Sequence, residues 1–243
     1  MSQVRVTLPD GMVLEMTEGS TIFDVASAIG PGLGKAAVAG QIDGVISSLS
    51  TTVLDGCSVR ILTDRDDESL DVLRHSAAHV LATAVREIKP DAGIGFGPAI
   101  EDGFYYDFEV EQPFTPEDLA TLEEKMVKVV QEDHDFVCKV VTKEEAQELF
   151  ADDHLKLERL EEFTDEEIIT VFQNGPFLDL CRGPHIGSTG QLKHFKLLSA
   201  AGAYWRGDEK RQMLQRIYAV SYTHLRAHET DSYLVCRRLL EKK

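Results

Sequence analysis

Long apolar runs are missing from this 243-residue chain: no stretch approaches the ~18 apolar residues that a membrane-spanning helix needs. The start, Met1-Ser-Gln-Val-Arg5, passes straight into strand-like alternation with no leader pattern, so a cytoplasmic location is expected. Cysteine is scarce. The four residues Cys57, Cys138, Cys181 and Cys236 are scattered without a CxxC pair, which suits a reducing compartment better than a disulfide framework. Positive charge is also short, with 25 Lys and Arg against 42 Asp and Glu and a net charge of −17. That balance argues against a broad, non-specific nucleic-acid footprint. Lys193, Lys196, Arg206, Lys210, Arg211 and Arg216 do gather near the end, as a local basic patch or a solvated face. No internal repeat is present. Gly30, Gly32 and Gly34 before Lys35 lack the spacing and the Ser/Thr of a phosphate loop, and read as helix-stop and turn glycines.

Residues 1–63 pattern as a small α+β unit. Val4, Val6 and Leu8 alternate, Pro9-Asp10-Gly11 turns, and Met12, Leu14 and Met16 alternate again, which predicts a hairpin. Thr21 with Asp24 forms a capping-box pattern that opens a helix to Ile29. Further strands are expected at 36–39 and 58–62, and this order suggests a ubiquitin-like β-grasp.

The acidic run Asp64–Glu68 reads as a linker into a helix over 69–89. There Leu70, Leu73, Ala77, Val80, Leu81, Ala84 and Ile88 form one apolar stripe. Strands are expected at 103–108, 137–141, 177–180, 194–198 and 213–218, with helices opened by Thr115-Pro116 and by the Thr142/Glu145 pair. Segment 152–170 is acidic and poorly patterned. Helices and short strands mix without βαβ regularity, so the class is α+β.

Two motifs carry chemistry. His75-Ser-Ala-Ala-His79 places two imidazoles at i,i+4 on one helix face, nearly opposite the apolar stripe and beside the small Ala78 and Ala82. They are a solvated surface pair or a pair of ligands. Cys181-Arg-Gly-Pro-His185 holds Gly183 and Pro184, so it should be a tight turn leaving a strand. His, His, Cys and His from a helix face and a turn suit a metal, zinc above all, or a polar substrate. Cys181 could equally be a buried thiol, and Arg182 a packing or phosphate contact.

The last residues, Val220–Lys243, resemble a translated sequencing adapter joined to a library index. On that basis His224, His228 and Cys236 take no functional role, and the natural sequence is expected to break off near Ala219. An amphipathic C-terminal helix is the competing reading.

With HSAAH, GFGPAIEDGFYYDF, DLCRGPHI and FKLLSAAGAYWRGDEKRQMLQRIYA in view, residues 1–219 resemble bacterial threonyl-tRNA synthetases. The resemblance implies a TGS β-grasp domain over 1–63 and an α+β editing domain over 64–219, of the type shared with alanyl-tRNA synthetase, with 220–243 a non-native tail. It implies hydrolysis of mischarged seryl-tRNA(Thr), with catalytic residues His75, His79, Lys156, Cys181 and His185. Asp179, Tyr106 and Arg182 would bind substrate. In the division of roles His75 and Lys156 handle the water and the ribose hydroxyl, Asp179 and His185 hold the seryl group, Cys181 lines the pocket, Tyr106 orients the substrate and His79 completes the polar wall. No cofactor is implied for editing, although zinc at His75, His79, Cys181 and His185 stays open. ATP, magnesium and a second zinc would belong to an aminoacylation domain outside this chain, and a homodimer would form through that domain. A non-catalytic tRNA-docking module and a freestanding trans-editing deacylase are the alternatives.

Overall fold

The computed structural model describes residues 2–164 and 166–222; the tail residues His224, His228 and Cys236 lie outside them. Strands β1 (Gln3–Thr7) and β2 (Val13–Thr17) pair antiparallel with Val4 opposite Met16 and Val6 opposite Leu14. Helix α1 (Ile22–Ile29) opens on a complete capping box in which Thr21 and Asp24 exchange bonds. The glycines that follow do more than stop it. Gly30 caps α1, but Pro31 then occupies the first turn of a second short helix, α2 (Pro31–Ala36), which contains Gly32 and Gly34. Strands β3 (Ala37–Ile42) and β4 (Val45–Ser47) close on Asp43-Gly44, both with positive φ, the two-residue hairpin turn that Asp-Gly favours. Strand β5 (Val59–Thr63) pairs with the other edge of β3, and a parallel bridge from Thr7 to Ser58 sets β1 beside it. This is the β-grasp arrangement. Val4, Val6, Ile22, Val25, Ala26, Leu49, Val53 and Val59 form its core. Gly40 is required there, because a Cβ would stand 2.5 Å from Ile22 Cγ2.

The acidic run is an ordered turn rather than a loose linker. Asp66 accepts from the Thr63 amide and hydroxyl and pairs with Arg60, which also holds Glu68. Helix α3 (Ser69–Ile88) follows and is the axis of the second unit. Strands β6 (Gly93–Ile94), β7 (Ala99–Ile100) and β8 (Gly103–Glu109) come next, then α4 (Pro116–Glu132), β9 (Phe136–Val141) and α5 (Lys143–Leu149). The stretch that lacked a pattern holds α6 (His154–Glu161), and a further strand, β10 (Ile169–Asn174), starts at its end and runs beyond it. The chain closes with β11 (Phe177–Leu180), β12 (His194–Tyr204) and β13 (Met213–Tyr222). Strand β13 passes through Ala219 and pairs Val220–Tyr222 with His194–Lys196.

Two antiparallel sheets result, β12-β13-β8-β6 with β7 also on β8, and β11-β10-β9. Helix α3 lies between them. Its expected stripe meets Phe104, Tyr106 and Phe108 of β8 and Ile217 of β13. Its opposite face, expected to be open, is buried as well. Ser76 bonds the His185-Ile186 backbone and side chain, and Thr83 bonds Asn174. The small residues Ala77, Ala78, Ala82 and Ala84 let both layers approach the helix closely, so His75 and His79 are not a solvated surface pair.

Five of the six residues of the basic cluster are paired with carboxylates within the fold. Lys193 pairs with Asp64, Lys196 with Glu123, Arg206 with Glu158 and Glu162, Arg211 with Glu158, and Arg216 with Asp107. No described helix is long and apolar enough to cross a membrane.

Candidate active site

Five segments converge on a cleft of about 570 Å³ between α3, α6 and the strand-to-turn passage after β11. Helix α3 supplies His75 and His79 one turn apart, with rings 5.2 Å between centroids. Strand β11 supplies Asp179, and the turn beyond it, with a cis Gly183–Pro184 bond, supplies Cys181 and His185. Helix α6, capped by Asp153, supplies Lys156, and β8 supplies Tyr106. The floor is the loop Gly95–Pro98.

One half of the site is a chain of soft donors. His75 Nδ1 meets the Gly97 carbonyl at 3.2 Å, and its Nε2 meets Cys181 Sγ at 3.0 Å. His185 Nε2 meets the same sulfur at 3.3 Å, and its Nδ1 meets Ser76 Oγ at 3.1 Å. The Ser76 hydroxyl donates to Val72 O, so Ser76 accepts from His185. Both Nδ1 atoms therefore carry the proton, and both Nε2 lone pairs converge on Cys181. Burial pushes the Cys181 thiol up to about 12, with Asp179 adding to the rise, so it stays protonated and donates to one imidazole at a time. The three histidines are held neutral. Burial lowers His75 despite the opposing Gly97 carbonyl and Asp179, lowers His79 to about 3, and takes His185 well below its usual value.

The other half is charged. Asp179 is buried and forms an ion pair with Lys156 Nζ through Oδ1. Its Oδ2 accepts from the Tyr106 hydroxyl at 2.5 Å and lies 3.6 Å from His79 Nε2. Burial alone would raise the Asp179 carboxyl, but Lys156, His79 and Tyr106 together hold it below the ordinary value. Burial and then Asp179 raise the Tyr106 phenol far above its usual range, so it remains a donor. Lys156 Nζ also donates to the Gly95 carbonyl at 2.9 Å.

His75, His79, Lys156, Asp179, Tyr106, Cys181 and Arg182 all border the cleft, and His185 does not. His185 is fully buried behind Cys181, stacked between Phe136 at 4.7 Å and His75 at 4.4 Å, so it cannot hold a bound seryl group as expected. Arg182 stands at the rim, where its guanidinium pairs with Glu167. Sequence reasoning missed Ser76 and the carbonyls of Gly95 and Gly97. At Gly97 a Cβ would stand 2.2 Å from the Tyr106 ring, so glycine is what lets the loop pass close enough to reach His75, a need that only the structure shows.

The donor set also fits a cation. One ligand atom from each of His75, His79, Cys181 and His185 lies within 4.8 Å of the others, and His79 Nδ1 has no hydrogen-bond partner. The two Nδ1–H groups bound to Gly97 and Ser76 are outer contacts of the kind that orient metal-binding imidazoles.

Comparisons with known proteins find two domain matches and a set of relatives. Residues 4–63 match the TGS domain, and residues 169–218 match the threonyl and alanyl tRNA synthetase second additional domain. Threonine–tRNA ligase of Pelobacter propionicus is 47% identical over 245 residues, covering 100% of this chain and 38% of the relative. Threonine–tRNA ligase of Citrifermentans bemidjiense is 46% identical over 236 residues, covering 96% and 37%. Threonine–tRNA ligase 1 of Bacillus subtilis is 47% identical over 221 residues, covering 90% and 34%. The chain thus spans little more than a third of the length of these curated relatives. It carries a TGS domain and a threonyl and alanyl tRNA synthetase second additional domain, and is a homologue of the threonine–tRNA ligases.

Proposed function

We propose that the cleft hydrolyses the ester of serine wrongly joined to tRNA(Thr), as the editing part of a longer ligase that charges this tRNA with threonine. The observation that carries the reading is the neutral His75 facing the Lys156–Asp179 pair across open space. Ester hydrolysis needs a base for water and a proton or positive charge for the oxygen atoms that gain charge. His75 Nε2 is the base. Its lone pair is freed when the Cys181 proton turns to His185 Nε2, so His185 acts from behind the wall. Lys156, held by Asp179 and Gly95, keeps one N–H direction for the ester oxygen or the departing ribose hydroxyl. Asp179 anchors Lys156 and Tyr106 and offers negative charge to the seryl amine, and His79 braces Asp179 from the helix side.

Serine and threonine differ by one methyl group, worth only about 1–3 kcal/mol of discrimination in a binding pocket, so a second hydrolytic site has a purpose. His75, His79, Cys181 and His185 would hold zinc if it is present, and it would supply carbonyl polarisation. A metal there would take the His75 Nε2 lone pair and displace the Cys181 proton, so the proton steps given above are those of the metal-free site.

The test is single-turnover serine release from seryl-tRNA(Thr), with threonyl-tRNA(Thr) alongside. We expect serine release only, and a loss of about 10²–10⁴-fold in His75→Ala. Equal release of both amino acids, or an unaffected His75→Ala, overturns the proposal.

A further inference from the structure

Lys156 is tied to the Ile94-Gly95 segment at both ends, directly at its ammonium and through Asp153, a residue outside the site, at its backbone. Asp153 is buried, and its carboxylate joins three elements. Oδ2 accepts from the Ile94 amide of β6 at 3.0 Å and from Arg86 Nη2 of α3 at 3.1 Å. Oδ1 accepts from the Lys156 amide at 3.4 Å, at the start of α6. Lys156 Nζ then returns to the carbonyl of Gly95, the residue after Ile94. The result is a closed ring: Asp153 to Ile94-Gly95, Gly95 to the Lys156 ammonium, and the Lys156 backbone to Asp153. The same loop continues to Gly97, whose carbonyl holds His75. A shift of Ile94 relative to α6 would therefore move the supports of both proposed proton-handling residues together.

We propose that Asp153 is a positioning residue for the ester hydrolysis, setting Lys156 and the Gly95 and Gly97 carbonyls in one register; this rests on the hydrolytic reading of the cleft. A carboxylate suits the task because two oxygens can accept from three donors on separate elements, one of them cationic. A plain helix cap needs only the Lys156 contact, which a serine can also make.

That difference supplies the experiment, done on the full chain. Asp153→Ser keeps a capping hydroxyl but is too short to reach Ile94 and Arg86. Its single-turnover rate on seryl-tRNA(Thr) at saturating enzyme should fall about 10- to 100-fold, with the half-saturating concentration changed less than about twofold. Asp153→Asn, which keeps the shape and loses the charge, should recover part of that rate. A wild-type rate in Asp153→Ser reduces the residue to a cap and overturns the proposal. Should Asp153→Ser fail to fold, Arg86→Gln, which removes one bond to Oδ2, becomes decisive: a loss of about threefold supports the ring and no loss overturns it. A second readout is independent of activity. The ¹³Cε resonance of Lys156, assigned by its disappearance in Lys156→Met, should shift in Asp153→Ser, and an unmoved resonance overturns the positioning role. If the wild-type chain releases no serine, the hydrolytic reading fails and the catalytic part of the inference with it; the resonance then decides only whether Asp153 holds Lys156 in place.

Discussion

Lys156 and Asp179 form an ion pair in which each residue is 3% exposed, and a double-mutant cycle across it tests the charged half of the site. In Lys156→Met the carboxylate remains buried with only Tyr106 and His79 beside it. In Asp179→Leu the ammonium remains buried with only the Gly95 carbonyl. Stranding one member of such a pair costs about 3–5 kcal/mol. At about 2–4 °C per kcal/mol for a chain of this size, each single variant should melt about 6–20 °C below the parent. The double variant strands no charge. It leaves the Tyr106 hydroxyl without its acceptor, a loss of about 1–3 kcal/mol. The double variant should therefore be more stable than either single, with a coupling energy on the order of 5 kcal/mol. Urea unfolding of the four proteins at pH 7 reads this directly. Single losses below about 1 kcal/mol, or additivity within about 0.5 kcal/mol, would refute a desolvated ion pair.

Acid should unfold the protein early. His79 titrates near 3 in the fold and near ~6.5 unfolded, so the unfolded state takes the proton first. Stability is complete above that unfolded value and falls by about 1.4 kcal/mol per pH unit below it, with His75 and His185 adding in the same direction. Urea midpoints that stay flat from pH 7 to 5 would contradict three buried neutral imidazoles. Gly97→Ala should cost about 1–3 kcal/mol and slow serine release, because the new methyl meets the Tyr106 ring and pushes the carbonyl away from His75; parent-like melting and parent-like rates would count against that contact. Chelation should leave serine release unchanged, since the Cys181 proton already satisfies an imidazole; a loss on chelation that zinc restores would transfer the chemistry to a metal.

Local signals in the sequence translate directly into structure where the physics is local. The capping boxes at Thr21, Thr115 and Thr142 each open a helix, because the bonded groups lie three residues apart and need no partner from elsewhere. Alternation around Pro9-Asp10-Gly11 yields the hairpin for the same reason. Helix α6 escaped because it is short and carries a weak apolar stripe: it is held by the Asp153 cap and by contacts of Leu155 with Trp205 and Leu214, far away in sequence. Helix α2 escaped because glycine at 30, 32 and 34 speaks against a helix, and packing on α1 overrides that propensity.

The site divides in the same way. Spacing alone determined that His75 and His79 share a helix face and that Cys181–His185 turns, since i,i+4 geometry and a Gly-Pro step are properties of the backbone. Tertiary structure alone decided that this face is covered by a second sheet, that His185 stacks behind Cys181 out of the cleft, and that all but Lys210 of the basic cluster is matched by carboxylates. Burial and charge pairing depend on which distant segments meet, and so do the neutral histidines and the protonated thiol that follow from them.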